Sequence, residues 1–391
     1  MPTSTRFSHQ QYRSAAPISP HHLLAPRAPG VDSAGQADQA ECWRQIAAAY
    51  HAVGLNTIYL LRGSVGLAAA NTLDALARFF PPAKGMLRRA HRELADSSSG
   101  DSGTFTQAYA RELERSLSAG SGSRIAVRLV EWSDENNHLG RADAAVRLVA
   151  LLTGDRAAQR RRVLVWAHGH AGNVAALATH LLSGNRSDIE AFFAAAEIYY
   201  RWPVLGWIDI PLWRRVRALL EERANASVRE ALDVATFGTP VLYGWNQAGY
   251  NRLLHFVFHR PVAGLPSYRA PFPLEPERIF RAADGDYVQQ LGIAGTDVPP
   301  GILAWRARWA DRRLGRMLQA SLPDTSTVER LRPGVRVAES GTTLLVDYGA
   351  SQGRLADHCG GHAVYADRQW LLFHAQEIAR RFYPPARVQA A

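Results

Sequence analysis

The sequence predicts an α/β protein built on a doubly wound, mostly parallel sheet, and three observations carry that prediction. Short, continuous and mostly apolar runs recur at residues 57–61 (TIYLL), 163–166 (VLVW) and 343–346 (TLLV). Between such runs lie longer stretches whose apolar residues repeat at helical spacing. The runs at 57–61 and 163–166 also end in glycine-containing turns. Strands that are apolar at nearly every position are buried on both faces, which is the signature of a parallel sheet sandwiched between helices.

Taken in order, residues 1–40 are rich in Pro, Ser, Ala, Gln and His and read as a flexible tail. A single domain is expected over 41–391, opening with Cys42, Ile46, Ala49 and Tyr50 at helical spacing. The strand at 57–61 ends in Arg62-Gly63-Ser64. A helical stretch follows through Leu73, Leu76, Ala77 and Phe80, stopped by Pro81-Pro82. A polar loop at 97–103, a helix at 106–117, a strand at 125–132 and an amphipathic helix at 141–152 come next. The strand at 163–166 runs into His168-Gly169-His170 and a helix at 173–182. Later strands are expected at 233–237, 288–293 and 343–347, with a last helix at 368–382. Two aromatic-rich segments, 185–230 and 245–286, break the alternation. They read as buried packing or as lid-like insertions over a pocket at the carboxyl ends of the strands.

Composition narrows the function classes. The chain has 391 residues and a net charge of +10, but Lys84 is the only lysine among 45 basic residues. That skew, with the arginines scattered, reflects biased composition and not a phosphate-binding surface, so no nucleic-acid partner is expected. Cys42 and Cys359 cannot alone build a disulfide framework or a cysteine zinc site. No apolar stretch approaches the ~18 residues of a transmembrane helix. The N-terminus lacks the apolar core of a secretory signal, and a cytoplasmic protein is the expectation.

The most informative stretch is Val163-Leu-Val-Trp-Ala-His-Gly-His-Ala-Gly-Asn-Val. A glycine turn between strand and helix also serves ordinary packing. This one, however, resembles the nucleophile elbow of α/β-hydrolase-fold lipases and esterases, Gly-x-Ser-x-Gly, often written Gly-His-Ser-His-Gly-Gly-Asn. Ala167 and Ala171 replace the flanking glycines, Gly169 replaces the serine, and His168, His170 and Gly172-Asn173 match. The resemblance implies oxyanion-hole donors at Gly63 and His170, and Thr236-Phe-Gly-Thr-Pro240 looks like the family's Gly-Thr-Pro. It further implies Asp297 as the acid, with Asp347 as competitor, and His362 as the base, with His358 as competitor. Ser64 stands as an alternate nucleophile but is off by one from the elbow pattern. Trp132-Ser-Asp-Glu-Asn-Asn-His138 follows a strand with no assigned role.

Glycine carries no oxygen, so as written the chain cannot form an acyl-enzyme. The resemblance implies an inactive variant or pseudoenzyme of an esterase or lipase, binding a small acyl ester or lipid-like ligand and needing no cofactor. A binding or regulatory protein using the same pocket is the alternative. A third reading is a metal-dependent hydrolase using His168, His170, His358, His362 and Asp297. A membrane-surface contact through an amphipathic segment is a weaker option.

Overall fold

The structure, a computed structural model, describes residues 7, 9, 16–27, 33–63, 103–119, 124–154, 162–201, 210–222, 231–273, 275–295, 297–318, 331, 333–351 and 355–384. In chain order the elements begin with β1 (His21–Leu24), α1 (Ser33–Ala52), β2 (Leu55–Leu61), α2 (Gln107–Ser118), β3 (Ala126–Val130) and α3 (His138–Gly154). The middle of the chain forms β4 (Arg162–His168), α4 (Ala171–Leu182), α5 (Arg186–Tyr200), α6 (Pro211–Glu221), β5 (Leu232–Phe237) and β6 (Arg252–Phe258). Then come α7 (Pro276–Phe280), α8 (Tyr287–Ala294), α9 (Trp305–Leu318), β7 (Thr342–Val346), α10 (Leu355–His358) and α11 (Leu371–Phe382). The helical stretch expected around 73–80, most of the 97–103 loop, and Ser64 lie outside the described residues.

The strands form one sheet in the order β1-β7-β6-β5-β4-β2-β3, and every pairing is parallel. Along β4, Val163, Val165 and Ala167 enter one core while Leu164 and Trp166 enter the other. The first core is closed by α3, α4, α5, α6 and α9, and the second by α1, α2 and α11. That double burial explains the continuous, mostly apolar runs. From β2 the chain steps outward to β3, then crosses to β4 and continues the other way. The order reverses between β2 and β4, so their carboxyl ends flank the crevice where such sheets bind ligands.

Three expectations need correction. Residues 288–293 form most of α8, a helix capped by Asp286, whose Oδ1 accepts the Gln289 N–H at 2.9 Å. The strand expected there is β6 instead, a central strand inside the aromatic-rich 245–286 segment. The other aromatic segment is not a lid in its described part. Trp213 on α6 stacks on Phe192 and Tyr200 of α5 at centroid distances of 5.8 and 5.1 Å, all buried in the first core. The flexible tail does not hold for its described part either. His21–Leu24 pairs with Thr343–Val346, the Phe7 ring stacks on His180, and the Gly244 N–H donates to the Phe7 carbonyl at 2.9 Å. Four residues of edge strand carry too little periodicity to be seen in sequence.

Candidate functional site

The site is built at the reversal point. At the end of β4 the chain turns sharply at Gly169, with φ +55°, and enters α4. A residue with a side chain is strained in that left-handed region, whereas glycine adopts it freely. The turn is pinned from both sides: the Gly169 N–H donates to the Phe237 carbonyl at 2.9 Å, and its carbonyl accepts the Gly172 N–H at 3.1 Å. Gly63, just past β2, is pressed against it, since a Cβ there would lie 2.3 Å from the His168 carbonyl oxygen and 3.3 Å from the Gly169 Cα. The first turn of α4 closes on the Gly238-Thr239-Pro240 segment. A Cβ on Gly172 would collide with Thr239, and Asn173 donates to the Pro240 carbonyl at 2.9 Å while accepting the Leu242 N–H at 2.9 Å. These contacts explain why the two motifs occur together.

His362 faces this turn. A Cβ built on Gly169 would meet His362 Nε2 at 2.9 Å. On the other side of the ring, Nδ1 lies 2.6 Å from Asp286 Oδ2, with both side chains buried. Asp286 is held in turn: its N–H donates to the Phe258 carbonyl at the end of β6, and the buried Arg336 donates to its backbone carbonyl at 2.5 Å. Gly238, with φ +58°, makes room for the pair. A side chain there would reach Asp286 Oδ2 at 2.7 Å and His362 Cε1 at 2.9 Å. His168 packs under His362 with ring centroids 4.5 Å apart, and burial, then the neighbouring imidazole, drives its pKa well down. It is therefore a neutral floor to the site.

The structure thus joins Gly169, Gly63 and His362, and the carboxylate it sets beside His362 is Asp286, not the expected Asp297. Asp297 does not touch His362. Its Oδ1 accepts from Arg141 at 2.8 Å and its Oδ2 lies 3.1 Å from His138 Nε2. Burial opposes that carboxylate, but Arg141 and His138 outweigh it and lower its pKa. Arg141 is fully buried, also donates to Tyr243 Oη and Asn136 Oδ1, and reaches within 3.5 Å of His170 Nδ1. Burial, then that cation, pushes the His170 ring down to about 3, so it is neutral. The segment 132–138 thereby finds a place: Trp132 donates to the Arg62 carbonyl, Asp134 pairs with Arg62, and Asn136 and His138 complete the Arg141 cluster.

The competitors fall elsewhere. Asp347 follows β7 in a half-buried pair with Arg260 at 3.2 Å. His358 ends α10 and, with Gly361, lines a separate cleft of about 330 Å³ containing Tyr348, Asp357 and Trp370. Among the described residues no group of three His, Cys, Asp or Glu side chains is placed to hold a metal. No helix among them is long and apolar enough to cross a membrane.

Asp286 was missed because the sequence suggested a strand at 288–293 and directed the search beyond it. A signal existed: Asp286-Tyr-Val-Gln289 is an acid followed three residues later by Gln, a helix-start pattern. Compared with known proteins, the chain matches no family model, no curated protein and no solved structure.

Proposed function

We propose that this is an α/β-hydrolase-fold protein related to serine esterases and lipases, which handles an acyl ester or lipid-like ligand without an acyl-enzyme step. One observation carries the reading: a buried Asp286–His362 pair directed at a strand–turn–helix elbow. The order of parts supports it. Gly169 follows β4, Asp286 follows β6 and His362 follows β7, the nucleophile, acid and base order of that fold.

In this reading Asp286 fixes the His362 tautomer by accepting its Nδ1–H, leaving Nε2 as a base toward the ligand. The N–H groups of Gly63 and His170 are the oxyanion donors. His362 can then take a proton only from water. A site with its nucleophile missing keeps a residual acceleration of about 10³–10⁴ over water.

A second reading, a binding or regulatory protein, is favoured by the closeness of His362 to the elbow. A serine Cβ would stand 2.9 Å from Nε2, nearer than a hydrogen-bonded Oγ allows, so the ring has settled against glycine. Short-chain nitrophenyl esters and a serine-directed fluorophosphonate separate the outcomes. Slow turnover that is lost in His362→Ala, without phosphonylation, supports the hydrolytic reading. Saturable binding of an uncleaved acyl ester supports the binding one. Neither turnover nor binding overturns both.

A further inference from the structure

Immediately after Asp297 the chain presents an exposed apolar face. Ile302 is 81 % and Leu303 98 % exposed, and Val298, Trp305 and Trp309 are exposed beside them. The segment is built, not frayed. The Val298 N–H donates to the Asn136 carbonyl at 2.8 Å, Arg308 donates to the Pro300 carbonyl at 3.5 Å, and Arg306 donates to the carbonyls of Ile198 and Tyr199 at 2.8 and 3.2 Å.

Helix α9 then divides its faces. Ala310, Asp311, Leu314 and Leu318 are buried. Trp305, Trp309, Arg312 and Arg316 recur at helical spacing on the opposite side, with Arg313 exposed beside them. Asp311, the sole acid of α9, points inward and accepts the Leu139 N–H at 3.0 Å. Asp297 is likewise tied to Arg141 and His138. The outward face from 298 to 316 therefore carries apolar and cationic side chains and no carboxylate.

We propose that this face docks on an anionic lipid surface, with Ile302, Leu303, Trp305 and Trp309 entering the interfacial layer and Arg312, Arg313 and Arg316 meeting lipid phosphates. The charge balance selects an anionic partner. The shape selects a fluid one, because side chains as exposed as Ile302 and Leu303 protrude, and a bilayer accepts a protrusion without a matching pocket. Tryptophans beside arginines suit the boundary between headgroups and acyl chains. The inference stands apart from the Gly169 reading. It does place lipid beside that site, since the loop starts at Asp297, whose partner Arg141 touches His170.

The test is cosedimentation of the full chain with phosphatidylcholine vesicles, with and without phosphatidylglycerol. The expected result is binding to the mixed vesicles at least about tenfold tighter than to neutral ones, weakening as salt is raised. Ile302→Ser with Leu303→Ser should lower binding to the mixed vesicles by about tenfold or more. The triple Arg312→Gln, Arg313→Gln, Arg316→Gln variant should abolish the preference for anionic lipid. All five positions are exposed, so unchanged thermal melting certifies the fold. The proposal is overturned if the chain stays in the supernatant or if these variants sediment like the parent. It is equally overturned if ultracentrifugation shows a dimer that Leu303→Ser dissociates, since a second copy then covers the face.

Discussion

Asp286 and His362, 76 residues apart in the chain, meet through Oδ2 and Nδ1 at 2.6 Å in a fully enclosed setting. The carboxylate serves two partners at once, because its Oδ1 caps α8 through the Gln289 N–H. Removing it therefore frays a helix and strands a buried imidazole together.

Asp286→Ala should lower stability by about 2–4 kcal/mol, a lost cap plus an unpartnered buried group. Chemical denaturation would measure it. A cost under about 0.5 kcal/mol, the range of neutral surface changes, would show that the pair is not formed.

Gly169→Ser should fold with a penalty of about 1–3 kcal/mol from the left-handed backbone. It should also gain fluorophosphonate labelling and ester turnover well above the parent once the imidazole yields a few tenths of an ångström. Gly169→Ala should bear the same penalty with no labelling. Equal labelling of both variants would remove the elbow assignment.

Asp297→Ala should be among the most damaging single changes. It leaves the buried Arg141 guanidinium without its carboxylate, at a cost of about 3–5 kcal/mol. In the Gly169→Ser background, Asp286→Ala should suppress labelling, whereas Asp297→Asn, which retains the shape of the side chain, should suppress it far less. The opposite ranking would return Asp297 to the role of acid.

These variants also mark how far the sequence was legible. β2, β4, β5 and β7 are mostly apolar and buried on both faces and announced themselves, and His168-Gly169-His170 stood out because a left-handed turn leaves glycine at a fixed place between strand and helix. β6 was hidden because Leu254, Phe256 and Phe258 sit among other aromatics, so burial and insertion look alike in one dimension. The carboxylate partner of His362 was hidden because the loop from Phe258 to Asp286 returns to its own strand end, where the Asp286 N–H donates to the Phe258 carbonyl and the Arg260 N–H to the Asp284 carbonyl. No local spacing encodes such a return.

Mild acid should destabilise the fold through its buried histidines. Burial pushes His9, His170, His259 and His374 down to about 3 and His255 to about 4. In the unfolded chain these rings bind protons near pH 6.5. Their contribution is therefore complete above about pH 6.5 and is lost progressively as pH falls toward the folded values. Asp134, raised to about 6 by burial, acts in the opposite sense but is one group against five. Calorimetry should find Tm lower by about 5 °C or more at about pH 5 than at about pH 7. A flat profile would mean that these rings are accessible to protons in the native state.

The strand at His21–Leu24 has a consequence for how the molecule is made. Among the described strands it comes earliest in the chain, and it pairs with β7, the latest. A nascent chain therefore carries residues 21–24 unpaired until residue 346 has left the ribosome, and only then does the edge of β7 gain its cover. Ribosome-bound chains ending before β7 should be open to protease at 16–27 and prone to associate, whereas released chains should resist cleavage there. Residues 21–24 and 343–346 then form one clasp, and anything that delays β7 leaves β1 available to a stranger.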